Sequence, residues 1–139
     1  MKHNKTPSQP SLKLLGQKWL NKPMSPAEML NICIAERIAL ETLRLGQGVE
    51  ADWVVVRDVA IVAETMAFNG IVPEAQLDAS DALLVLADVY ATMRKLTTQE
   101  LKTLDRTLAY HDAQRERVSR GRVFDMLKKA EVRFNEASK

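Results

Sequence analysis

The 139-residue sequence predicts an all-α fold, a four-helix up-and-down bundle with a long C-terminal helix and a disordered basic N-terminal tail. Two capping boxes support this prediction: Ser25 precedes Glu28 by three residues, and Thr97 precedes Glu100 by the same spacing. Hydrophobic residues make up 46% of the chain and aromatic residues only 5%. Because the apolar residues recur at helical spacing, we expect packed helices around an aliphatic core.

Residues 1–24 are predicted to form a flexible basic tail, and residues 25–139 a single helical domain. The stretch MKHNKTPSQPSLK contains two prolines and small polar residues, so it offers little apolar surface to bury. A short docking turn is expected around Trp19, whose side chain should pack on its own domain.

Four helices are expected after the tail. The first uses Ser25 as N-cap and Pro26 as its first residue, and it ends at Leu45 before Gly46. In the second, acids and an arginine break the alternation that a strand would need, so helix is favoured over strand. The predicted spans are 26–45, 50–69, 73–96 and 98–136.

Two of these helices carry apolar residues on more than one side. The third is apolar nearly all round, with a polar strip at Asp81 and Asp88, which is typical of the most buried helix of a domain. The first helix has a second apolar edge at Ile34, Ile38 and Leu45. Two apolar edges indicate two neighbours.

The charges are segregated along the chain. Residues 1–26 contain five lysines and no acid; residues 27–91 contain eleven acids and three arginines; residues 92–139 contain twelve basic residues and seven acids. This segregation suits attraction to a charged partner or head-to-tail association into a homo-oligomer. It equally suits a single fold in which the basic N- and C-terminal segments neutralise the acidic middle segment.

A cluster of basic residues lies near the C-terminus and supplies the candidate partner-binding residues. On one continuous helix, Arg115 and Arg122 share a side, while Arg117 and Arg120 lie opposite. The arginines therefore encircle the helix, unlike the single stripe of a DNA-recognition helix. The helix is expected to leave the core near His111. The candidate residues are His111, Arg115, Arg117, Arg120 and Arg122.

No catalytic, cofactor-binding or metal-binding residues are predicted, and the protein is not expected to be an enzyme. The metal-ligating types His3, His111 and Cys33 are scattered without paired spacing. Cys33 lies on an apolar helix face, which favours a buried structural thiol over a nucleophile.

Three acids raise the alternative of a metal centre between helices. Glu36 lies among apolar residues, and Asp81 and Asp88 are one heptad apart, but the Glu-x-x-His pattern of di-iron bundles is absent. Ion pairing of these acids with Arg37, Arg57 or Arg44 is the favoured interpretation.

The cellular location is predicted from what the sequence lacks. A single cysteine cannot form an intramolecular disulfide, which suits a reducing cytoplasm. No apolar run reaches the roughly 18 residues that a membrane span needs, and the basic N-terminus lacks the apolar core of a secretory signal.

Two stretches resemble a known group of proteins: IAERIALETLRLGQGVEADW at 34–53 and LDRTLAYHDAQRERVSRGRV at 104–123. They look like small helical proteins of unknown role from proteobacterial plasmids, phages and integrated elements. Some members are labelled Fis-type transcriptional regulators, and that label would require a terminal helix-turn-helix, which this sequence does not display. The resemblance implies a role on a mobile element or against its host.

Two functions are therefore weighed. The leading hypothesis is a non-catalytic protein–protein interaction protein that acts on a host or element complex, for example by interfering with host defence. The alternative is a regulator or accessory factor that binds nucleic acid through the lysine-rich tail and the arginine-rich helix.

Overall fold

The computed structural model describes residues 12–137, and within that part the chain forms six helices and no strand. The all-α class is confirmed, but six helices replace the predicted four. The helices are α1 Leu12–Leu20, α2 Pro26–Arg44, α3 Glu50–Phe68, α4 Ala75–Tyr90, α5 Thr98–Glu116 and α6 Arg120–Ala137.

Both predicted capping boxes are present. The Ser25 hydroxyl accepts from the backbone N–H of Glu28 at the start of α2, while the Glu28 carboxylate accepts from the Ser25 N–H. Thr97 and Glu100 repeat this arrangement at α5. The predicted end of the first helix is also confirmed, because Gly46 takes the left-handed φ of 71° just after α2.

The centre of the molecule is α3, which packs against α2, α4, α5 and α6. The main core joins α2, α3, α4 and α5, and a smaller cluster joins α3 to α6. The prediction that the third expected helix, now α4, is the most buried one was wrong. Leu77 and Leu84 of α4 are 72% and 71% exposed.

Helix α4 ends at Tyr90, well before the predicted end near Leu96. Met93 adopts a left-handed φ of 47°, and its N–H donates to the Val89 carbonyl at 2.8 Å, as at a helix C-terminus. Glycine usually occupies such a position, so methionine gives no stop signal in the sequence.

The predicted long C-terminal helix is interrupted between α5 and α6. Arg117 is the C-cap of α5, and the Ser119 hydroxyl then accepts from the N–H of Arg122 at 3.2 Å, which caps α6. The N–H of Arg120 donates to the Lys22 carbonyl at 2.9 Å. Arg115 and Arg122 therefore lie on two different helices and not on one side of a continuous helix.

Helix α1 lies within the segment predicted to be a flexible tail, and it packs against α6. Trp19 lies against Phe124, as predicted for packing on its own domain, although it remains 46% exposed. A Cβ at Gly121 would lie 3.2 Å from the Leu20 carbonyl oxygen, so the missing side chain lets α1 approach closely. Residues 12–20 of the predicted tail thus form a helix, and residues 1–11 lie outside the described part.

Candidate functional site

The arginine-rich segment lies at the junction of α5 and α6, and three of its five candidate residues are buried. His111 is 2% exposed, Arg115 7% and Arg120 8%. Arg117 is exposed and Arg122 is partly exposed. The structure thus separates the candidates into an inner group, which has partners inside the fold, and an outer pair.

Arg115 binds Glu36 of α2 across the α2–α5 contact. Its two terminal nitrogens donate to the two carboxylate oxygens at 2.8 and 2.5 Å. Asp112, one turn earlier on α5, accepts from Arg37 at 2.7 Å and lies 3.5 Å from Arg115. Arg115 of α5 binds an acid of α2, and Arg37 of α2 binds an acid of α5. This cluster therefore fastens α2 to α5.

Cys33 belongs to the same cluster. Its thiol donates to Asp112 at 3.2 Å, and burial raises the pKa of the thiol, with Asp112 adding to the effect. A raised pKa keeps the sulfur protonated, whereas a nucleophile needs the thiolate. The thiol is only partly buried, so the predicted burial is met in part.

His111 pairs with Gln114 instead of Cys33. The Gln114 amide nitrogen donates to the carbonyls of Ala63 and Ile71, both at 2.9 Å, so its oxygen faces His111 Nδ1 at 2.9 Å. Nδ1 must therefore carry the hydrogen. Burial lowers the pKa of His111 to about 3. Gln114 was not predicted as a buried residue, because a glutamine within a polar stretch has no sequence pattern that indicates burial.

Arg120 fastens α6 to the start of α2 and to α1. It donates to both carboxylate oxygens of Glu28, the same carboxylate that caps α2, and to the Trp19 carbonyl. Its guanidinium also lies 4.6 Å from the centre of the Trp19 ring. The hydrogen bonds from Arg120 lower the pKa of Glu28 to about 2.

Ion pairs neutralise much of the segregated charge within the fold. Eight of the ten arginines form ion pairs, and Arg117 and Arg122 have none with the described residues. Five arginines of the basic C-terminal segment bind acids of the acidic middle segment. These pairs are Arg94–Asp88, Arg106–Asp78, Arg115–Glu36, Arg120–Glu28 and Arg133–Glu64.

The three acids considered for a metal centre have no binding partner in common. Glu36 pairs with Arg115 and Asp88 with Arg94, whereas the predicted partners were Arg37, Arg57 or Arg44. In residues 12–137, no three His, Cys, Asp or Glu side chains form a group that could hold a metal ion.

The exposed side of α4 alternates apolar and acidic side chains, and we call Leu77, Asp81, Leu84 and Asp88 the α4 outer face. Leu77 and Leu84 are the most exposed large apolar side chains of the described residues, and Asp81 and Asp88 lie between and beyond them. Exposed leucines two turns apart with acids beside them are typical of an interaction surface.

The exposed side of α2 is more apolar still. Six exposed residues recur there at alternating steps of four and three residues, and the exposed Leu30 lies at their edge. We call this set the α2 outer face: Ala27, Asn31, Ile34, Ile38, Glu41 and Leu45. The apolar edge predicted at Ile34, Ile38 and Leu45 is thus present, but no neighbour from the described residues covers it.

Among the helices of the described part, none combines the length and the apolar character that crossing a bilayer requires. Neither family models, nor curated proteins, nor solved structures give a match to this chain.

Proposed function

We propose that this protein is a non-catalytic protein–protein interaction protein that binds its partner through the α4 outer face. The observation that carries this proposal is the pair Leu77 and Leu84, which expose 72% and 71% of their surface on one side of a helix. Such exposure has a cost in water that burial against a partner removes.

The chemistry of the α4 outer face indicates the chemistry of the partner. Leu77 and Leu84 are two turns apart, about 10 Å along the helix axis. Asp81 lies between them and has no ion pair among those of the described residues, whereas Asp88 shares Arg94 with Glu100. A partner helix with apolar side chains at the same spacing and lysine or arginine beside them would complement this face.

The inner polar groups support a non-catalytic role. The groups that chemistry would use, Cys33 and His111, are occupied by Asp112 and Gln114, and both pKa values are shifted away from reactivity near neutral pH. A host or mobile-element complex as the target remains part of the proposal, and it derives from the resemblance in the sequence.

Nucleic-acid binding is the alternative. Phosphate contacts need free cations. Among the described residues, the ion pairs leave two arginines, Arg117 and Arg122, beside exposed lysines that form no ion pair there. The arginine-rich segment therefore offers few free arginines, and this alternative depends mainly on the lysines.

The proposal is tested by affinity capture from nuclease-treated lysate of the source cells. Leu77→Ser with Leu84→Ser should lose a partner protein that the wild-type chain retains, with affinity lower by about two orders of magnitude if both leucines are anchors. Ile34→Ser with Ile38→Ser is the matched control on α2 and should retain that partner. Equal retention by both variants, or loss of all capture after nuclease treatment, would contradict the proposal.

A further inference from the structure

Within residues 12–137, nothing covers the α2 outer face. Leu30, Ile34 and Ile38 are 60%, 48% and 59% exposed, and Glu41 is the one charged residue among the six members of the face. Outside the described part, residues 1–11 and 138–139 contain one large apolar residue, Met1. Those segments therefore contain one large apolar side chain, against several exposed on α2.

The spacing of this face matches the seam of a coiled coil. The positions 27, 31, 34, 38, 41 and 45 alternate steps of four and three, which is the heptad pattern that lets two helices pack side by side. This pattern extends over nearly the whole of α2.

We propose that the α2 outer face is the interface of a homodimer in which two copies of α2 pack antiparallel. When Ile34 lies opposite Ile38 of the second copy, every other member also meets a complementary residue. Asn31 lies opposite Glu41, so an amide N–H can donate to a carboxylate, and the small Ala27 lies opposite the large Leu45. The two-fold axis repeats each contact.

The antiparallel direction follows from Glu41. Glu41 is ion-paired with Arg44 of its own helix through bonds of 2.9 and 2.5 Å. In a parallel pair, two such carboxylates would still face each other without a donor between them, whereas the antiparallel pair places the Asn31 amide opposite each one. Arg37 borders the seam near the two-fold axis, where two copies would approach each other. Each Arg37 retains its ion pair with Asp112 at 2.7 Å, so the approaching groups are neutralised pairs.

This inference uses a different face from the proposed function, so each can fail alone. The test is sedimentation of the full chain over a concentration series, where the wild type should reach twice the 15.6 kDa chain mass. Ile34→Asp with Ile38→Asp should sediment as a monomer, and Leu77→Asp with Leu84→Asp should remain a dimer. Circular dichroism checks that both variants, whose changed side chains are exposed, keep their helices.

The direction is tested by a charge pair. Asn31→Asp should weaken the dimer on the order of tenfold, because it places a second carboxylate opposite Glu41 in both symmetry-related layers. Adding Glu41→Gln should restore the dimer, because it removes one carboxylate from each layer. In a parallel pair these two positions lie in separate layers, so Glu41→Gln would change the dimer by the same factor with and without Asn31→Asp. A monomeric wild type, a dimer that survives the α2 substitutions, or a failed rescue would overturn the proposal.

Discussion

Arg115 of α5 and Glu36 of α2 are 79 positions apart in the sequence, and two hydrogen bonds join their side chains in the interior. Only 9% and 8% of these side chains are exposed. Arg115, one of the predicted partner-binding residues, is therefore a fastening between two helices. The outward charge of the segment is reduced to Arg117 and Arg122.

Arg115→Met should destabilise the fold by about 3–5 kcal/mol, because it leaves the Glu36 carboxylate buried without its partner. Chemical denaturation of the variant and the wild type measures this loss. Arg117→Met is the matched control and should change the free energy of unfolding by less than about 0.5 kcal/mol, since Arg117 is exposed. A loss below about 1 kcal/mol for Arg115→Met would show that Glu36 finds water or another partner.

The stability should fall as the pH decreases from 6.5 to 5, because of His111. In the folded chain its pKa is about 3, against an ordinary value of 6.5, so the unfolded chain binds a proton that the folded chain does not. The stability gained from neutral His111 is complete above pH 6.5 and decreases by roughly 2 kcal/mol by pH 5.

Urea unfolding at pH 7 and pH 5 measures this decrease. His111→Leu should remove it in that window. Acid sensitivity below pH 4.5 should persist in the variant, because arginine hydrogen bonds lower the pKa values of Glu28 and Glu100 to about 2. A wild-type free energy of unfolding that is constant from pH 7 to pH 5 would refute the assignment to His111.

Deletion of residues 1–22 should preserve one cooperative unfolding transition. Among the side chains that the structure describes, both core clusters consist of residues from α2 to α6 and the loops between them, with none from α1. The deletion removes the Trp19 and Lys22 carbonyl acceptors of Arg120 but leaves its bonds to Glu28, so we expect a loss of about 1–3 kcal/mol. Thermal unfolding followed by circular dichroism measures it; a broad, non-cooperative transition would show that α1 belongs to the core.

The sequence predicted the helix starts well where the signal is local. Ser25 with Glu28 and Thr97 with Glu100 each identify a start within four residues, and both starts are present. The cap at Ser119 was missed because Arg122 stands where a capping box has an acid. The end of α4 was missed because Met93 takes the left-handed conformation that glycine usually supplies.

The site was harder to predict than the helices because its contacts are distant in the chain. Apolar residues around nearly all of α4 suggested the most buried helix. Which side a bundle covers depends on where the other helices pack, and Leu77 and Leu84 lie on the uncovered side. Likewise, spacing alone places Arg115 and Glu36 on helices without pairing them.

The central claim is that the partner binds the α4 outer face and not the arginine-rich segment. The most direct measurement is the dissociation constant of the captured partner, by isothermal titration calorimetry, for two double variants of exposed residues. Leu77→Ser with Leu84→Ser should weaken binding by about 100-fold, and Arg117→Glu with Arg122→Glu by only a few-fold. The opposite order, with the charge variant losing binding and the leucine variant retaining it, would contradict the account.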